Sequence, residues 1–174
     1  AGLARDVVVG YYFGTGAAAD AFFVAFRIPN LLRRFVAEGA MSIALIPVFT
    51  DYVTNRSRAE TNEAMSAVGT LMALALLVLT AAGVVFAEGL TALFAPGFAS
   101  DPEKFALTVA LTRRVFPFIF LVSMVALATG ILHSVRHFAA PAVAPVLLNL
   151  AIITAALSSQ QFDEPVLALA WGVI

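Results

Sequence analysis

No cysteine occurs in the 174 residues, which excludes disulfides and thiolate chemistry without separating one cellular compartment from another. Histidine is nearly absent as well: His133 and His137 stand four apart with no third ligand near them in sequence, so neither a metal nor a cofactor is expected. Charge is scarce, at 12% of residues, about half the share of an ordinary soluble domain. The chain shows no nucleophile beside a base, no glycine loop of the kind that cradles phosphate and no nucleic-acid motif. An enzyme and a nucleic-acid partner are both disfavoured. What is present is apolar, at 61% of the chain.

An apolar run of ~18 residues crosses ~30 Å of hydrocarbon. Val115 to Leu132 is an uncharged stretch of 18 residues, Ala64 to Ala87 one of 24 and Phe138 to Phe162 one of 25. These runs favour a membrane protein over the core of a soluble helical one. The alternation of a barrel strand is missing, so the expected class is all-α, a polytopic transmembrane helix bundle.

Six segments follow from the punctuation. Segment one ends near Phe13 and is too short to span alone, and Gly14-Thr15-Gly16 closes it. Segment two, from Asp20 to Tyr52, would reach nearly ~50 Å as one helix and must tilt, bend or protrude, with Pro29 and Gly39 as the bending points. A polar hinge from Thr54 to Glu63 leads into segment three, which ends near Phe94 before a turn at Ala95-Pro96-Gly97-Phe98. Ser100-Asp101-Pro102-Glu103 then combines a capping side chain, an early proline and an acid, so segment four starts near Pro102 and continues through Pro117 to about Val135. Segment five covers Pro141 to Leu157 and a sixth starts at Pro165. The chain opens without methionine, shows no cleavable signal peptide and stops in an apolar segment at Ile174, the pattern of a fragment.

Loop charge gives the orientation. The second loop carries Arg56 and Arg58 and the fourth carries Arg136, while the first has no lysine or arginine, the third balances Lys104 with Asp101 and Glu103, and the fifth has Asp163 and Glu164. The positive-inside rule then places loops two and four, and the N-terminus, in the cytoplasm. Arg113 and Arg114 go against this pattern and are expected at lipid headgroups or facing a cavity. Asn149 is expected to bridge helices.

Segment two holds Arg27, Arg33, Arg34 and Glu38 where a span should be apolar, each costing about 2.5–3.5 kcal/mol at bilayer depth. On an ideal helix Asp20, Arg27, Asn30, Arg34, Glu38 and Ser42 fall in a stripe of about 120°, with Arg33 roughly 100° from Arg34. Two readings compete. The guanidinium groups line an aqueous cavity for an anionic ligand, gripping phosphate with parallel bonds, or Arg34 and Glu38 merely neutralise one another. Arg5 and Asp6, about eight residues before Gly14, are expected near mid-membrane, which favours a functional role.

The stretch Asp20 to Phe49, DAFFVAFRIPNLLRRFVAEGAMSIALIPVF, closely resembles the second-helix signature of the MurJ (MviN) family of lipid II flippases. GLARD at Gly2 to Asp6, LFAPGF at Leu93 to Phe98 and PVLLNLAII at Pro145 to Ile153 match in order along nearly the whole chain. The resemblance implies a multi-pass bacterial inner-membrane protein of two lobes, related to the MATE-type exporters. Residues 1–174 would form part of the N-terminal lobe: a first helix truncated at its start, helices two to five, and the start of the sixth. The implied activity, in peptidoglycan and cell-wall biogenesis, is transport of the lipid-linked precursor, lipid II, by alternating access. The alternatives are a flippase for another polyprenyl-diphosphate glycan and a non-transporting membrane scaffold. By motif, Arg5, Asp6, Asn30 and Arg33 are the implied substrate-binding residues, and Asp20, Arg34 and Glu38 the implied cavity or gate residues. The implied partners are the polyprenyl-diphosphate lipid, membrane lipids and the rest of the parent chain. A basic pair that the family carries before the GLARD-like stretch and the arginine of the opposite lobe have no counterpart here.

Overall fold

The computed structural model of the chain describes residues 2–14, 16–33, 41–135, 137, 139–159 and 165–173. Among these, every regular element is helical. They are α1 (Gly2–Phe13), α2 (Ala17–Arg33), α3 (Met41–Asn55), α4 (Arg58–Val85), α5 (Ala87–Phe94), a 3-10 turn (Pro96–Ser100), α6 (Pro102–Val115), α7 (Phe118–Ser134), α8 (Ala139–Leu157) and α9 (Pro165–Val173).

Local chemistry fixes several of these ends. Ser57 opens α4 with a capping box: its Oγ accepts from the Glu60 amide at 3.3 Å, and Glu60 Oε2 accepts from the Ser57 amide at 3.0 Å. The expected polar hinge thus shrinks to Arg56 and Ser57, its other residues joining α3 and α4. Asp101 starts α6 by accepting from the Lys104 amide at 3.0 Å, with Pro102 at the first helical position, where its missing N–H costs nothing. Of the expected long helices, segment three breaks at Phe86 (φ −91°, ψ 16°) into α4 and α5, whereas segment four runs on through Pro117 as expected, with a tight turn at Phe116-Pro117, both right-handed helical in backbone, between α6 and α7. In segment two, Pro29 stays inside α2, buried and without ending the helix, while Gly39 lies outside the described residues.

Among the described residues two stretches, Arg58–Val85 and Pro102–Ser134, are long and apolar enough to cross a bilayer, and Ala142–Leu157 is a shorter apolar helix. Leu71, Leu74 and Val78, at i, i+3 and i+7 of α4, are 57–70% exposed, the pattern of a helix face turned to lipid. Inside, three apolar clusters form. The largest joins Val9, Ala21, Phe22 and Ala25 to Leu111, Val115, Ile152 and Leu169, tying α1 and α2 to α6, α8 and α9. A second gathers Ile28, Leu76, Phe116 and Ile119, and a third pairs Phe49 of α3 with Leu127 of α7. Three buried hydroxyls are satisfied within their own helices, Thr91, Thr108 and Thr112 each donating to the carbonyl four residues back at 2.8 Å, whereas those of Thr80 and Ser123 have no hydrogen-bond partner. Asn149 also bonds four residues back, its Nδ2 donating to Pro145 O at 2.6 Å, so this contact stays within α8 instead of bridging helices.

Candidate functional site

The functional candidates concentrate on α2, whose two faces differ in chemistry. Ala21, Phe22, Ala25, Ile28 and Pro29 are buried, whereas Asp20 and Arg27 are exposed and Asn30 is half-buried. The buried face packs most extensively on α6. The polar residues expected from the 3.6-residue period therefore share the side of the helix turned from the core, interleaved there with the exposed Phe23 and Leu31. Asp20 sits in the first turn, where the helix dipole favours a carboxylate, and Asn30 stands about 15 Å further along. Arg33 closes α2. Its side chain, that of Asp6, and residues Arg34 and Glu38 lie outside the described part of the structure.

Arg5 is half-buried on α1, one turn from the buried Val9. Val9 shares a cluster with Ala21, Phe22 and Ala25 of α2, while α1 packs chiefly against α8. Asp20, expected at the cavity or its gate, is engaged across the fold: Lys104 Nζ donates to its Oδ2 at 2.9 Å. The same ammonium lies 4.1 Å from the ring centroid of Phe98 in the 3-10 turn.

A cleft of about 650 Å³ opens between α6, the α1–α2 turn and the start of α9. Its walls are apolar, with Phe13, Leu107, Ala110 and Val166 among them, and Glu103 and Arg114 supply the charge. Arg114 borders this cleft, and both it and Arg113 are exposed. Of the motif-implied residues with described side chains, Arg5, Asp20 and Asn30 do not line this cleft. Sequence reading missed its assembly, and it also missed Lys104 as the partner of Asp20. The available signal was composition, since Lys104 is the only lysine among ten basic residues.

Compared with known families, residues 9–174 match the model described as Lipid II flippase MurJ. The chain belongs to this family. It is 43% identical to the lipid II flippase MurJ of Burkholderia cenocepacia over 174 residues, covering 99% of this chain and 34% of the relative. It is 40% identical to the probable lipid II flippase MurJ of Treponema pallidum over 158 residues, covering 87% of the chain and 29% of that protein. A solved structure described as Lipid II flippase MurJ, inward closed conformation, matches with a TM-score of 0.80 at 31% identity, over 99% of this chain and 37% of the other. The chain spans about a third of the length of the curated relatives it matches. The resemblance carried by Asp20 to Phe49 is thereby shown, and the helical membrane fold with it.

Proposed function

We propose that the chain forms part of the N-terminal lobe of a transporter that flips a lipid-linked peptidoglycan precursor, lipid II, across the bacterial inner membrane by alternating access. The observation that carries this reading is the family match over residues 9–174, joined to a fold shared with a flippase in an inward closed conformation. A named inward closed state supports a cycle between cavity openings.

Within that reading, Arg5, Asp6, Asn30 and Arg33 engage the diphosphate and sugar headgroup, and Asp20, Arg34 and Glu38 shape the cavity or its gates. The polar stripe of α2 supports the assignment, because it faces away from the packed core. Guanidinium forks hold phosphate oxygens by charge-assisted bonds, while the polyprenyl tail stays in the bilayer. The process is transport, with no covalent step. The N-terminus lies on the cytoplasmic side, and loops one, three and five outside. One elementary charge crossing 100 mV is worth about 2.3 kcal/mol, so an inside-negative potential favours outward passage of the anion and inward return of the empty cationic cavity.

The test uses a full-length relative in which residues 1–174 replace the matching segment, reconstituted in vesicles. Arg33→Ala and Arg5→Ala each lower flipping of lipid II by about 10- to 150-fold, the factor for losing a hydrogen bond to a charged group. Collapsing the potential at fixed ion gradients slows the parent. Equal handling of other polyprenyl diphosphates would move the reading to a broader glycan-lipid flippase. Unchanged function in both arginine variants, at equal membrane levels, would leave a scaffold instead.

A further inference from the structure

Lys104 makes three contacts at once. Its Nζ donates to Asp20 Oδ2 at 2.9 Å across 84 residues of sequence, the same ammonium lies 4.1 Å from the Phe98 ring centroid, and its amide donates to Asp101 Oδ1 at 3.0 Å. The lysine side chain is 17% exposed and that of Asp20 is 53% exposed. The ammonium is therefore held between a ring and a carboxylate, while the carboxylate keeps one side open. The side chain joins the start of α2 to the 3-10 turn, and the backbone amide of the same residue completes the cap of α6.

We propose that Lys104 is a positioning residue, setting the rotation and height of α2 on α6 and hence the placement of Asn30 and Arg33; this rests on the reading of α2 as a substrate-binding helix. The packed face of α2 explains why such a tie is needed. Ala21 and Ala25, both 0% exposed, lie in one cluster with Leu111 and Val115 of α6. Small residues let the two backbones approach closely, and at these two positions the low ridges resist rotation little, the larger Phe22 and Ile28 flanking them. Turning a helix by about 20° moves side-chain positions about 6 Å from its axis by about 2 Å, enough to break a hydrogen bond. A charged link in the first turn of α2 fixes that angle. Lysine suits the task, because a compact ammonium on a flexible stem can follow the carboxylate while its face meets the ring.

The test uses the same full-length chimera, with spin labels at Phe23 of α2 and Ala106 of α6, both exposed positions. Lys104→Met keeps the stem and removes the charge. It is expected to broaden the label-to-label distance distribution and to lower flipping of lipid II at saturating substrate by about fivefold, the scale of a lost ion pair and cation–π contact together. Lys104→Arg is expected to restore both readouts. An unchanged distribution in Lys104→Met overturns the proposal, as does a broadened distribution with unaltered flipping. A fall in melting temperature alone also overturns it, since that marks a merely structural contact. If the parent chimera moves no lipid, the transport reading fails, and the label distances still decide whether Lys104 places α2.

Discussion

Replacing Gly83 with alanine should strike the packing of α4 where it passes the tight turn between α6 and α7. A Cβ built at Gly83 falls on the ring of Phe116, meeting its Cε1, Cδ1 and Cζ atoms. That ring has little room to yield: Phe116 is 1% exposed and shares its cluster with Ile28, Leu76 and Ile119. Overpacking of a filled core costs about 1–3 kcal/mol, and three ring atoms met at once put this site in the upper half of the range. Association of helices in lipid rests on van der Waals fit, so a new methyl gains nothing by leaving the hydrocarbon. At about 2–4 °C per kcal/mol for a chain of this length, the apparent melting temperature should fall by roughly 4–12 °C. Thermal unfolding in nanodiscs, followed by aromatic fluorescence, reads the shift. Phe116→Leu removes the obstructing ring, so Gly83→Ala in that background should cost far less, with a coupling above about 1 kcal/mol. Equal melting of Gly83→Ala and the parent, or strict additivity of the two changes, would refute the close approach of α4 to Phe116.

Three further outcomes follow from particular contacts. The Ser123 hydroxyl on α7 is buried without a hydrogen-bond partner, so Ser123→Ala should leave the melting temperature unchanged or raise it; a loss above about 1 kcal/mol would contradict the assignment. A Cβ added at Gly172 of α9 would run into the Ala155 side chain and lie 3.2 Å from the Ala151 carbonyl oxygen, and Gly172→Val should cost about 1–3 kcal/mol by the same melting assay. Ser57→Ala removes the acceptor of the Glu60 amide, and hydrogen exchange at that amide should accelerate while exchange in the middle of α4 stays constant.

The parts of this fold that were legible in sequence are those decided locally. Asp101-Pro102 announced the start of α6 because a cap and an N1 proline act within one turn, and Pro165 marked α9 by the same logic. The break at Phe86 had no such signal: the sequence there reads VVFAEG, without proline, and the helix turns where α5 meets α6. Pro29 shows how context absorbs a local breaker, since it is carried inside α2 and buried against the core without ending the helix. The polar face of α2 was legible from period alone. The pairing of Asp20 with Lys104 was not, because it depends on α2 and α6 lying side by side across 84 residues. The cleft was hidden for the same reason, needing α6, α9 and the α1–α2 turn at once.

The tight turn at Phe116-Pro117 also explains a pair of charges that loop counting left out of place. The uncharged run begins at Val115, and α7 with its 17 residues covers about 25 Å, close to the thickness of the hydrocarbon layer. α6 is thus the amphipathic lead-in to the apolar stretch that runs on through α7. One face, with Thr108, Leu111, Thr112 and Val115, is buried, and another lines the cleft through Glu103, Leu107 and Arg114. Arg113 and Arg114 occupy its last turn, directly before the uncharged run. Their position follows from where the apolar run begins and from a cleft wall, not from loop topology. A rule that counts loop charges has no means of seeing either.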